Sequence, residues 1–196
     1  MGLSIHYTGE FNSCASLSEM IEEVKDIAGI YKWEYHIFET KFPQTDFDKN
    51  NFNEEIYGIS FSPPGCESVL LCFLSNGRIA NPFMFQNWLK SKDKKDEYLI
   101  YGNFTKTQYA GIEIHKIIIH LLKHISKKYL RNFKVIDEGE YWETDDEKVL
   151  QVNFKRYTEL IENFASSINN YPLKPGETFE DYFERLLKHL HKKYKK

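Results

Sequence analysis

The chain has little cysteine, no long apolar stretch and none of the short glycine-rich motifs that cradle phosphate, and each shortage removes a class of protein. Its three cysteines, Cys14, Cys66 and Cys72, are odd in number and match the spacing of neither a zinc site nor a redox pair, so reduced thiols are expected. The apolar run Ile117-Ile118-Ile119 stops at His120, far short of the ~20 residues that a membrane span needs. Residues Met1 to His6 hold neither the basic nor the apolar region of a signal peptide, and His6 stands where a myristoylation signal wants Ser or Thr. A cytoplasmic protein that does not cross a membrane is the expectation. No Gly-x-Gly-x-x-Gly, P-loop or Gly-x-Ser-x-Gly stretch occurs, so neither a nucleotide cradle nor a hydrolase elbow is supported, and no cofactor is expected.

An excess of one charge is missing too. The net charge of −3, with both signs interspersed, disfavours nucleic acid as a general partner. The exception is a basic tail at about 188–196, where Lys188, Lys192, Lys193, Lys195 and Lys196 offer a weak, salt-sensitive contact. What the chain does have is aromatic residues, 16% of its 196 positions, and enough length for one domain spanning 1–196 with an aromatic-rich core.

Hydrophobic periodicity predicts an α+β fold. Leu3, Ile5 and Tyr7 alternate with polar residues as in a strand with one buried face. Ser16 to Glu19 reads as a capping box opening a helix over 17–31, and Trp33, Tyr35 and Ile37 predict a second inward-facing strand. After a polar loop at 44–55, anchored by Phe47 and Phe52, come a strand at Tyr57 to Phe61 and an apolar run from Val69 to Leu74. The latter leads into Asn76-Gly77, read as a type I′ hairpin turn. Tyr98 to Thr107 predicts a strand, Ile112 to Tyr129 the longest helix, and Phe133 to Ile136 another strand. Two C-terminal helices follow, opened by capping boxes at Thr144 and Thr178. Two strand-helix-strand units, at 3–40 and 98–136, are expected to build a single mixed or mainly antiparallel sheet covered by helices mainly on one face.

Three constellations carry chemistry. His120 and His124, with Glu113 two turns earlier, share a helix face that could offer two metal ligands, but Lys116, Lys123 and Lys127 flank it and no metal is expected. His115 lies nearer the apolar stripe and reads as a hydrogen-bonded boundary residue. If the first two strands are neighbours, His6, Glu34 and His36, with Glu39, share the open sheet face as a histidine/carboxylate pocket for a small-molecule enzyme, with histidine as general base. The densest acidic run places seven carboxylates in the eleven positions from Asp137 to Glu147. Asp145, Asp146 and Glu147 suit a helix N-terminus. Asp137, Glu138, Glu140 and Glu143, beside Tyr141 and Trp142, instead form an acidic-aromatic loop suited to recognising a basic protein.

Gly2 to Tyr7, Lys106 to Gly111 and Asp137 to Thr144 resemble segments of a family of small bacterial cytoplasmic proteins to which no activity is assigned. That resemblance implies a bacterial cytoplasmic protein and transfers no catalytic residue. The sequence therefore points first to a non-enzymatic interaction module of immunity or adaptor type using the acidic-aromatic loop, and second to the enzyme with the histidine pocket.

Overall fold

Ser16 opens the first helix as its local sequence dictates, its hydroxyl accepting the Glu19 N–H at 3.3 Å. Leu17, Met20, Ile21, Val24 and Ala28 bury one face, and Lys32, at φ 56°, ends the helix in the left-handed region. The computed structural model describes residues 2–44, 46–48 and 51–194, with side chains through His189. Its elements are β1 (Ser4–Phe11), α1 (Leu17–Tyr31), β2 (Glu34–Ile37), β3 (Tyr57–Ser62), β4 (Val69–Phe73), α2 (Pro82–Ser91), a 3-10 helix (Glu97–Tyr101), β5 (Asn103–Lys106), α3 (Ile112–Tyr129), β6 (Leu130–Asp137), α4 (Tyr141–Thr144), α5 (Glu147–Asn170) and α6 (Phe179–Tyr194). Lys195 and Lys196 of the basic tail, and the side chains of Lys192 and Lys193, lie outside the described residues.

The strands form two antiparallel three-stranded sheets, β5-β1-β6 and β2-β3-β4, in place of the expected single sheet. β1 and β2 therefore belong to different sheets, and residues 3–40 are not one strand-helix-strand unit. Residues 103–137 are such a unit: β5 and β6 flank β1, with α3 between them in the chain. The sheets meet at Arg78 to Ala80. Ile79 donates to the Gly9 carbonyl and Phe11 to that of Gly77, while Ala80 donates to Cys72 and Leu74 to Arg78.

A β4–β5 ladder is prevented because side chains take the backbone groups it would use. The Tyr7 hydroxyl accepts the Leu70 N–H at 2.8 Å and faces the Leu70 carbonyl at 3.3 Å. Asn103 Nδ2 donates to the carbonyls of Leu70 and Ala80, and the Thr105 hydroxyl donates to that of Ser68. Burial pushes the Tyr7 phenol far above its ordinary range, so it stays protonated.

The hairpin after β4 differs from the type I′ expectation. Gly77 alone has positive φ, 75°, and its N–H returns to the Leu74 carbonyl. A three-residue loop ending in a left-handed glycine results, and a Cβ on Gly77 would strike the Phe47 ring at 2.6 Å. The first half of the predicted strand at 98–107 is the 3-10 helix, and the helix expected from Thr144 begins at Glu147, capped by Asp146, which accepts the Lys148 N–H.

Leu71 and Phe73 of β4 pack with Leu3, Ile5, Tyr7 and Phe11 into a core shared by both sheets, α1 and α3. Leu70, Cys72 and Leu74 face the other way, into a second cluster with Phe85 of α2 and Ile100. The β2-β3-β4 sheet is thus covered on both faces, whereas the outer face of β5-β1-β6 leaves His6, Phe104 and Ile136 exposed. Trp33 is buried, but Tyr35, expected to face inward with it, is half in solvent because β2 is a sheet edge. No helix among the described residues is long and apolar enough to cross a membrane.

Candidate functional site

Period-two alternation along β6 turns Phe133, Val135 and Asp137 toward the core side of the sheet, and Asp137 ends buried. Its carboxylate gathers the loop that follows. Oδ1 accepts the Gly139 N–H at 2.8 Å, and Oδ2 accepts those of Tyr141 at 2.8 Å and Trp142 at 3.0 Å. His115 of α3 brings Nε2 to 3.2 Å from Oδ1, and its Nδ1 lies 2.8 Å from the Thr107 hydroxyl. Both the His115 and Asp137 side chains are wholly inaccessible. The imidazole is thus bracketed by the Thr107 hydroxyl at one ring nitrogen and the Asp137 carboxylate at the other. Burial raises the Asp137 carboxyl, but His115 and the backbone N–H groups of Trp142 and Gly139 outweigh it and hold the group below the ordinary carboxylate range.

Hydroxyl, imidazole and carboxylate in line invite comparison with a nucleophilic triad, and burial decides against it. Thr107 is fully buried and also lies 3.4 Å from the Leu3 carbonyl, so no substrate carbonyl can approach its oxygen. Here the array ties three segments together. Leu3 N–H donates to Gln108 Oε1 and Thr107 N–H to the Leu3 carbonyl, while Ser4 N–H donates to Glu138 Oε2 and Glu138 N–H to the Ser4 carbonyl. The three stretches singled out for their resemblance, at the N-terminus, near 107 and near 140, thus converge around His115.

This arrangement divides the acidic-aromatic loop. Asp137 and Tyr141 point inward and hold it, Glu138 caps β1, and Trp142 is half-buried against Phe133. Glu140, the N-cap of the one-turn α4 at φ 59°, and Glu143 within α4 remain exposed. Around them stand further carboxylates whose lysine partners lie beneath. Lys116 pairs with Glu147 at 2.7 Å and Lys123 with Asp145 at 2.6 Å, the lysine side chains being 19% and 23% exposed and the carboxylates 47% and 64%. Those lysines hold Glu147 and Asp145 below the usual carboxylate range. With Glu113, which also meets Lys116 at 3.3 Å, the outward layer is an acidic ridge along α4 and the first turns of α3 and α5.

The alternative pocket does not assemble. β1 is bordered by β5 and β6, so His6 and His36 lie on separate sheets. His36 and Glu39 do line a shallow cleft of about 520 Å³ with Glu54, Glu55, Ser60 and Phe83, whereas Glu34 lies outside it. The His36 ring packs edge-on against Phe38 and makes no hydrogen bond among the described residues. Nor do the α3 histidines converge: His120 Nε2 lies 3.3 Å from the Tyr141 hydroxyl, and His124 reaches Glu23 at 3.1 Å. Among the described residues no three His, Cys, Asp or Glu side chains gather as metal ligands would.

Thr107, His115 and Gln108 were not recognised as a unit in the sequence. The signal available was the in-phase position of Asp137, two residues before a glycine. No protein-family profile matches the chain, and no curated protein or solved structure proves similar to it.

Proposed function

We propose that the protein is a non-enzymatic interaction module of immunity or adaptor type, whose acidic ridge engages a basic protein partner. The observation that carries this reading is the anchoring of the loop by Asp137. Three backbone N–H groups and His115 converge on one buried carboxylate, so Glu140, Trp142 and Glu143 are held before any partner arrives. Preorganisation of this kind lowers the ordering cost of binding. The ridge also sets its carboxylates outside its lysines, giving an approaching basic surface the attractive sign first. The enzyme reading is weakened by the sealing of the Thr107–His115–Asp137 array and by the separation of His6 from His36.

Pull-down with wild type and a Glu140→Gln, Trp142→Ala, Glu143→Gln variant tests the proposal, because none of the three side chains makes the hydrogen bonds that anchor the loop. An unchanged melting temperature verifies that losing the Trp142–Phe133 contact leaves the fold intact. Any protein retained by wild type is then purified and titrated at low and high salt. The expected result is a basic protein whose binding falls with salt and is lost in the variant. Recovery of the same proteins by both forms, with salt-independent affinity, would remove the ridge as the interface.

A further inference from the structure

The outer face of the β5-β1-β6 sheet has a charge opposite to that of the chain. Strand register sets its side chains in rows: Phe104, His6 and Ile136 in one, Thr8 and Lys134 in the next, then Glu10 with Arg131 and Arg78. Alternation puts the first two rows on one side of the sheet, and a register shift between Thr8 and Glu10, with Asn132 at φ 51°, lets Arg131 meet Glu10 beyond them. The first row is bare, with Phe104 and Ile136 at 43% and 70% exposure and the His6 ring 6.0 Å from that of Phe104. Past the end of β5, Tyr109 is exposed beneath the Lys106 ammonium, 5.3 Å from its ring centroid.

The cations here are Arg78, Lys106, Arg131 and Lys134, and the acids are Glu10, Glu138 and, at the β5 edge, Glu67, which accepts the Lys106 N–H at 3.1 Å. Glu10 is engaged by Arg131 at 3.0 Å and Glu138 by the Ser4 N–H at 2.7 Å. Arg78 lies over the Tyr101 ring at 3.3 Å, and among the described residues neither it nor Lys134 has a carboxylate partner. Those two cations border a hollow of about 360 Å³ together with Thr8, Tyr101, Asn132 and the Glu10 carboxylate, which Arg131 engages. Successive rows on one side of a strand are ~6.8 Å apart. A row of rings is therefore followed, one row on, by the unpaired Lys134 and then by Arg78, a spacing that suits bases and phosphates of one extended strand.

We propose that this open face binds single-stranded nucleic acid, with bases stacked on Phe104 and His6 and phosphates held at Arg78 and Lys134. Stacking on exposed rings beside a cationic track is how sequence-tolerant single-strand binders work. A duplex presents no free base face to such rings. The net charge of −3, which disfavours a general nucleic-acid binder, averages this face with the acidic ridge and conceals it.

Fluorescence anisotropy of the full chain with labelled twelve-nucleotide oligo(dT) and oligo(rU), and with a labelled duplex of equal length, tests the assignment. Saturable binding of a single strand at 50 mM salt is expected, at least tenfold tighter than to duplex. Phe104→Ala should weaken it about tenfold. Arg78→Gln with Lys134→Gln should reduce the slope of log affinity against log salt by about 1.4, two contacts at ~0.7 each. Phe104 and Lys134 are exposed and Arg78 is half-buried over Tyr101, and an unchanged melting temperature verifies folding. A Lys192→Gln, Lys193→Gln, Lys195→Gln, Lys196→Gln variant should bind like wild type. Absence of saturable single-strand binding, equal affinity for duplex, indifference to Phe104→Ala, or loss of binding in the tail variant would each overturn the proposal.

Discussion

Replacing Asp137 by Asn probes the buried array most directly, because it removes a charge while nearly conserving shape. The carboxylate receives N–H groups from Gly139, Tyr141, Trp142 and His115 on its two oxygens. An amide offers one acceptor oxygen and turns its NH₂ toward the remaining donors, leaving one or two buried N–H groups unmade at about 1–3 kcal/mol each. The expected loss is about 2–5 kcal/mol, a large share of the ~5–15 kcal/mol that typically holds a domain folded. With a urea m-value near 2–3 kcal/mol/M, the midpoint should fall by about 1–2 M. Asp137→Ala, which strands all four donors, should fall at least as far.

The pH dependence gives a second reading of the same experiment. The folded-state carboxyl lies below its ordinary value of 3.8, so its stabilisation is present above that pH and is lost as pH falls through the folded value. The gap between wild type and Asp137→Asn should therefore be full at pH 6 and shrink on acidification below about pH 4. A gap under about 0.5 kcal/mol at pH 6, within the range of an ordinary surface substitution, would refute the idea that this carboxylate organises the loop.

Two further outcomes follow from the fold. Tyr7→Phe removes the hydroxyl that occupies both backbone groups of Leu70, and should cost about 1–3 kcal/mol in urea titration; an unchanged midpoint would mean that water replaces it. In a thiol-labelling assay at pH 8, exposed Cys14 should react at once, and Cys66, whose thiol burial pushes up to about 12, far more slowly. Buried Cys72 should react only in denaturant. Three equally fast thiols in the native protein would contradict the packing around β4.

The helices were legible because their signals are local. Ser16 with Glu19, the apolar stripe from Leu17 to Ala28, and the stripe through α3 each lie within a few residues, and those helices form where the pattern puts them. The faces of β1 were legible for the same reason: Leu3, Ile5 and Tyr7 are buried and His6 is not. The two sheets were not legible. Which strand borders β1 depends on partners about a hundred residues away, and the split between sheets goes with Tyr7, Asn103 and Thr105 side chains occupying backbone groups at β4.

The acidic run shows the same division at the level of the site. Composition identified seven carboxylates beside two aromatic rings, but not which of them turns inward. The sequence by itself determined the four long helices α1, α3, α5 and α6, the phase of β1 and the presence of a charged aromatic segment, since these follow from neighbours in the chain. Tertiary structure alone decided that Asp137 is spent on His115 and the loop backbone, that His6 and His36 stand apart, and that four cations gather on a bare sheet face. Strand pairing and burial join residues whose distance along the chain carries no record of their distance in space.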